Sequence, residues 1–560
     1  MVASSVEHAE QSPCRTYGPR RRWLALLAGL LVASPLADHT QAAQELSRPN
    51  ILIIVADDLG FSDPACFGGE IQTPHLDRLA AGGVRLTRFY SAARCCPSRA
   101  SILTGQYPHR VGLGHMTADL GRPGYTGRLA PEARTIAQAI QSAGYRSFLS
   151  GKWHLGTDDP TRHGFEEFYG TLVSAKTFWD PDHFIRLPAD REARRYPEGT
   201  FYGTDALTDH ALDFFELARE TPDRPWFLYL AYNAPHFPLQ APQEDIARYA
   251  DRYHVGWDAV REQRHERMKA LGVITEQTPL TPRSRYEDWG ADQSGVNPAW
   301  DSLSSDRRAD LARRMAIYAA MVDRMDRQIG RVIDDLRGHG ELDNTLIIFL
   351  SDNGACAEWD PFGFDGKSGP NGELHLGAAI ETMGGPGTFH SAGSGWANAS
   401  NTPWRLYKHY THEGGIRSPA IVHWPAGLNR AGAVEHRPAH VIDLLATCVD
   451  VAGVDAAGSA GPGRSLLPLL RGEPVETRPL FFEHEGHRAV HEGRWKLVAL
   501  RGGPWELYDV DADPVELHDL ATERPRVVAE LSEKWDRWAA ANHVTPLPSD
   551  YGVEYLPKPR

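Results

Sequence analysis

The chain alternates unbroken apolar runs with polar stretches, and its apolar runs end on polar residues of one kind. Asn50 to Val55 is a continuous apolar run, the pattern of a strand covered on both faces of a parallel sheet, and it stops at Asp57-Asp58. Thr345 to Leu350 repeats the device and ends in Ser351-Asp352-Asn353-Gly354. A third run, Trp226 to Tyr232, ends in Asn233-Ala234-Pro235-His236. Open α/β sheets bind ligands outside the carboxyl ends of their strands, so the first two endings, nearly 300 residues apart, are expected to converge on one site. Leu311, Met315, Tyr318, Val322, Met325, Ile329, Val332 and Leu336 recur at three- and four-residue steps, which predicts a core-packed helix ended by Gly338 and Gly340. The polar stretch from Tyr253 to Ser305 reads as an insertion on the sheet, and Gly363 to Ser400 as an irregular region near the site. From about Pro479 the texture changes: short β-type runs at Leu480 to Phe482, Arg488 to Val490, Trp495 to Leu500 and Trp505 to Tyr508 predict a small antiparallel sheet. Val527, Val528, Leu531, Trp535 and Trp538 within Glu523 to Ala541 predict a helix over it. The domain plan expected is 1–42, 43–475 and 476–560.

Composition narrows the partners. The 560 residues are 41% hydrophobic and 24% charged, which excludes general disorder, and the net charge of −14 argues against nucleic acid. An anionic substrate therefore needs a locally positive pocket. Arg20-Arg21-Arg22 precedes an uncharged apolar stretch from Trp23 to Ala37, followed by small residues at Ala42 and Ala43. Residues 1–42 read as an export signal, too short to be a stable membrane anchor, with an arrangement that resembles a twin-arginine signal. The expected location is periplasmic or secreted. Of six cysteines, Cys14 lies in that signal, and Cys66, Cys95, Cys96, Cys356 and Cys448 are too few for a disulfide framework. Cys95-Cys96 leaves open a strained vicinal disulfide or another use.

Asp57, Asp58, Asp352 and Asn353 offer only oxygen, a donor set that favours Ca²⁺ or Mg²⁺ over Zn²⁺. Taken singly, each is as easily a turn or a helix cap. Cys95-Cys96-Pro97-Ser98-Arg99, continuing to Leu103-Thr104-Gly105, resembles the first signature of the sulfatases, and Gly144 to His154 resembles the second. The resemblance continues through Asn233 to His236, Ser351 to Gly354, Tyr407 to Gly415 and Trp505 to Asp509, and is closest to the bacterial arylsulfatases.

That resemblance implies an alkaline-phosphatase-like fold: a large mixed, mostly parallel sheet sandwiched by helices, with a smaller C-terminal α+β domain. It implies that Cys95 is oxidised to formylglycine by a maturation enzyme, and that the hydrated aldehyde attacks the sulfur of a sulfate ester, with an aryl sulfate favoured. It implies Ca²⁺, ahead of Mg²⁺, on Asp57, Asp58, Asp352, Asn353 and the modified Cys95. By the same resemblance Arg99 holds the diol and the metal ligands, Lys152 and Lys408 bind sulfate oxygens, His154 assists collapse of the diol, and His236 binds sulfate and protonates the leaving oxygen. The residue chemistry agrees independently: thiolate is a soft ligand ill-suited to Ca²⁺, whereas a gem-diol supplies oxygen as ligand and nucleophile. His409, His412, His423 and Trp424 read as framing or packing residues. Two rival readings remain open, a phosphonate or phosphate ester hydrolase on the same fold and a binding protein without activity.

Overall fold

The computed structural model describes residues 48–286, 295–369, 371–455 and 461–546. The export signal expected at 1–42 lies outside the described residues. No described helix is long and apolar enough to cross a membrane.

The large sheet contains β1 (Asn50–Ala56), β2 (Val84–Tyr90), β3 (Arg146–Lys152), β4 (Glu167–Thr171), β5 (Ile185–Leu187), β6 (Trp226–Ala231), β7 (Thr345–Ser351), β8 (Arg417–His423), β9 (Ala433–Glu435) and β10 (Ala439–His440). Their order is β9-β2-β8-β7-β1-β6-β3-β4-β5, with β10 also on β2. β7, β1, β6, β3 and β4 run parallel, and β8 and β5 are antiparallel to their neighbours. β1 shows why its run is continuously apolar. Leu52, Ile54 and Ala56 enter the core on one face, and Ile51, Ile53 and Val55 enter the core on the other.

Helices α1 (Pro74–Gly82), α3 (Gly203–Arg219) and α4 (Ser305–Gly338) build the first core, while α2 (Cys95–Thr104) and α5 (Asp443–Val451) belong to the second. All eight apolar positions predicted to stripe α4 are buried, and the chain turns out at Gly340 with φ +70°. Part of the polar stretch after Tyr253 is buried. It carries a helix, Gly256–Ala270, whose Arg264 is fully buried between Asp63 (2.6 Å) and Glu70 (2.7 Å), so its charge serves packing.

The second sheet is the antiparallel meander β11 (Leu480–His484), β12 (His487–Glu492), β13 (Trp495–Ala499) and β14 (Glu506–Asp509), with α6 (Pro525–Ala541) packed on it. It shares a core with the large sheet, where Tyr90, Ala93 and Ile416 meet Leu480, Phe482, Val498 and Tyr508. A buried ion cluster joins the two as well. Lys496 Nζ lies 2.8 Å from Glu413 and 2.7 Å from Glu516, and Glu413 also meets Arg417 at 3.1 Å.

Candidate active site

Register brings the acidic endings together. Ala56 pairs with Ser351 and Val55 with Ala231, so Asp57-Asp58, Asp352-Asn353 and Asn233 to His236 leave three adjacent strands at one edge. β3 delivers Lys152 beside them, with Gly151 opposite Ala231. A side chain at Gly151 would place its Cβ 1.9 Å from the Ala231 carbonyl oxygen, so only glycine permits this approach.

Cys95 opens α2, as the motif predicts, with Arg94 at the N-cap and Gly105 (φ +64°) at the C-cap. Pro97 sits in the first turn, where its missing N–H costs no helical hydrogen bond. The whole helix is buried. One turn after Cys95, Arg99 donates from Nε to Asp352 Oδ2 at 2.9 Å and from Nη1 to the Lys152 carbonyl at 2.9 Å, and its Nη2 lies 2.8 Å from Asp352 Oδ2. It thus ties the helix to two strand ends.

Lys152 Nζ donates to Asp57 Oδ2 at 2.6 Å, and Lys408 Nζ to Asp58 Oδ2 at 2.8 Å. Asn353 Nδ2 donates to Asp58 Oδ1 at 2.6 Å, and His236 Nε2 lies 3.6 Å from Asp58 Oδ2. All ten residues singled out from the sequence are brought to this edge. The strand β3 ends at Lys152, and His154 two residues on adopts φ +56°, so the two side chains do not leave one extended segment. Left-handed backbone costs a non-glycine residue about 1–2 kcal/mol, and Asp58 bears it too, at φ +66°.

The site's electrostatics follow from its burial. Burial raises Asp57, but Lys152, His236 and Arg99 more than reverse this and hold its carboxyl well below the usual range. Burial and the adjoining Asp57 push Asp352 well up. Burial opposes charge on Lys152 and Lys408, yet Asp57 keeps the first protonated and Asp58 the second. Burial and Lys152 push His154 down to about 4, leaving a neutral imidazole. A hydrogen bond with Cys96, with help from Lys152 and His154 against burial, holds the Cys95 thiol well below its ordinary range. Both thiols are free, so the vicinal disulfide does not form.

Asp57 Oδ1 and Asn353 Oδ1 are buried acceptors without a hydrogen-bond partner, and both belong to the all-oxygen group. Two such orphans beside crowded carboxylates fit a hard divalent ion. The Cys95 thiol does not fit such an ion, but an oxygen in its place would.

Several residues here escaped the sequence reading. Glu358 is buried 3.6 Å from Lys408 Nζ, and Cys356 Sγ lies 4.0 Å from the same nitrogen. Phe237, half-buried, stands with its ring 4.1 Å from that of His236 and 4.9 Å from Phe364, and Lys408 Nζ sits 5.8 Å over it. Tyr286 lines a narrow cleft together with Trp359, Tyr407, Tyr410, Lys408 and Glu358. Trp396 and Trp404, by contrast, are core residues. Phe237 directly follows the motif that ends at His236, which was the one signal for its position.

The family model described as Sulfatase matches residues 49–454, and the model for the C-terminal part of N-sulphoglucosamine sulphohydrolase matches 403–540. An uncharacterized sulfatase of Schizosaccharomyces pombe is 35% identical over 557 residues, covering 91% of this chain and 97% of that one. The arylsulfatase of Klebsiella aerogenes is 33% identical, covering 78% and 94%. The crystal structure of Ps i-CgsB with k-i-k-neocarrahexaose is 25% identical with TM-score 0.64, covering 91% and 97%.

Proposed function

Because the chain belongs to the sulfatase family and is a sulfuric ester hydrolase, we propose that it cleaves aryl sulfates using formylglycine made from Cys95 and a bound Ca²⁺. The observation that supports this most is the pair of orphaned oxygens, Asp57 Oδ1 and Asn353 Oδ1, on a carboxylate and an amide at the edge where Lys152 and Lys408 also bind Asp57 and Asp58. Asp57, Asp58, Asp352, Asn353 and the modified residue 95 would hold the Ca²⁺, which supplies Lewis-acid polarisation of a sulfate oxygen. Formylglycine, as its hydrate, supplies the attacking hydroxyl and, through the second hydroxyl, a route to sulfate release.

The chain's own groups divide the remaining work. Lys152 and Lys408, kept charged on opposite carboxylates, bind the sulfate oxygens and answer the overall −14 with a local positive field. His154, neutral at working pH, accepts the proton of the diol. His236 donates to the leaving oxygen, and its Nδ1, 2.5 Å from the Phe237 carbonyl, fixes the ring. Arg99 keeps Asp352 and β3 in register with residue 95. Phe237, Trp359 and Tyr410 offer flat apolar surface to an aromatic leaving group.

Around this centre we assign 1–42 to an export signal, 43–475 to the catalytic domain and 476–560 to a C-terminal domain. The enzyme is exported to the periplasm or secreted, after a formylglycine-generating enzyme has acted on Cys95; Arg20-Arg21 suits a twin-arginine route, and normal export of an Arg20→Lys, Arg21→Lys variant would argue for the general secretory route instead. Turnover of matched aryl, alkyl and carbohydrate sulfates and an aryl phosphate is the test. Aryl sulfate is expected to lead. Equal rates on alkyl sulfate refute the aryl assignment, and a faster phosphate ester refutes the sulfate preference.

A further inference from the structure

The two-residue loop between β11 and β12 carries an unexpected side chain. His484 pairs with His487, and the loop residues Glu485 and Gly486 have φ +54° and +88°, a type I′ turn. Such turns favour Asn-Gly, Asp-Gly or Gly-Gly, because both positions are left-handed. Glutamate has no such advantage there, so its carboxylate is the property to explain.

Glu485 is buried in the first hairpin of the C-terminal sheet. Oε1 meets the guanidinium of Arg94 and lies 3.0 Å from His115 Nε2, and Oε2 lies 2.8 Å from His409 Nδ1. Arg94 is the N-cap residue immediately before Cys95. His409 immediately follows Lys408, and its backbone N–H donates to the Ala93 carbonyl at 2.9 Å. The other ring nitrogen of His409 lies 3.1 Å from Glu358 Oε1, the same oxygen that stands 3.6 Å from Lys408 Nζ. His115, His484 and Glu485 are close enough to suggest a metal cluster, but Arg94 already brings positive charge to that carboxylate oxygen.

We propose that Glu485 is a positioning residue: its carboxylate fixes Arg94 and His409 together, and so sets residue 95 and Lys408 in mutual register. A displacement of about 1 Å at such a centre costs about a hundredfold in rate. The C-terminal sheet is on this account part of the catalytic unit. The inference rests on the roles given above to Cys95 and Lys408.

The test compares Glu485→Gln with Glu483→Gln, a buried carboxylate of the same hairpin that meets His109 at 2.6 Å. Formylglycine content, thermal midpoint, kcat and KM on a chromogenic aryl sulfate are measured for both. Similar midpoints are expected, with kcat down about a hundredfold for Glu485→Gln and within about twofold of wild type for Glu483→Gln. His409→Asn keeps a residue tolerant of the φ of +82° at that position, and is expected to lose about tenfold in kcat with little change in midpoint. Should Glu485→Gln fail to fold, His409→Asn alone decides. Equal kcat losses in the two glutamate variants, or kcat near wild type in Glu485→Gln or in His409→Asn, overturn the inference. Lys408→Met is run alongside: full activity there would overturn the active-site reading instead.

Discussion

Replacing Lys408 by methionine is expected to separate metal binding from catalysis. The ammonium stands 2.8 Å from Asp58 Oδ2 in a buried site and 3.6 Å from Glu358. At an effective dielectric near 20, the closer pair carries about 6 kcal/mol of gross attraction. A Ca²⁺ drawn to Asp58 works against that ammonium. If only a quarter of the attraction survives the desolvation of both groups, its removal favours the ion by about 1.4 kcal/mol, a factor of ten in affinity. The sulfate loses one of its cationic anchors at the same time, and loss of a single oxyanion-type donor costs about 10²–10³ in kcat. The assay is calorimetric titration of chelator-stripped protein with Ca²⁺, paired with turnover of a chromogenic aryl sulfate. Tighter Ca²⁺ with turnover down at least a hundredfold is the expected pair. Weaker Ca²⁺, or turnover within a few-fold of wild type, would refute the assignment of Lys408 to the substrate side of the site.

Peptide mass spectrometry across residue 95 of active enzyme should show sulfur exchanged for oxygen with loss of two hydrogens, and Cys95→Ala should be folded and inactive. An active preparation with an intact thiol there would end the formylglycine reading. Phe237→Ala should raise KM for aryl sulfates several-fold and leave alkyl sulfates nearly unchanged, since the ring beside His236 contributes stacking of about 0.5–1.5 kcal/mol. Lys496→Met leaves the buried carboxylate of Glu516 without its ammonium partner and Glu413 with Arg417 alone, and should cost about 3–5 kcal/mol in chemical denaturation. Acid should also weaken the fold. Burial pushes His484 down to about 4, and His487 and His491 down to about 3, so below pH 6.5 the unfolded chain takes up protons that the folded one refuses. Stability is then lost as pH falls from 6.5 toward 4, by about 2 kcal/mol per histidine at pH 5. In His491→Gln the slope of unfolding free energy against pH should shrink by one proton's worth, and an unchanged slope would count against the buried neutral ring.

Residues 50–56, 226–231 and 345–351 could be read as sheet strands because each is a run of large apolar side chains that would be costly to expose on either face. The long helix was equally legible, since its apolar stripe has the helical period and nothing in it competes. The strands Val84–Tyr90 and Arg417–His423 were not. Both contain arginine, and Arg417 is neutralised by Glu413 and by the face of Trp404, 3.6 Å away, a partner that only the fold provides. His154 shows the same limit at the site itself: its backbone turns left-handed two residues after Lys152, which no local residue pattern announces.

What the sequence determined by itself is the identity of the groups gathered at the strand ends. The oxygen donors, the two cysteines and the cations within the two signatures have chemistry that does not depend on where the chain takes them, and the apolar runs just before the acidic pairs show which ends of the strands they leave. Tertiary structure alone decided the protonation and the alignment of those groups. Burial beside Lys152 keeps His154 a neutral imidazole, and Asp58 and Glu358 keep Lys408 a cation inside the protein. A glutamate from a distant hairpin, 390 residues after Cys95, ties together the two segments that carry residue 95 and Lys408. Such effects depend on distance and desolvation, which a linear order of residues does not contain.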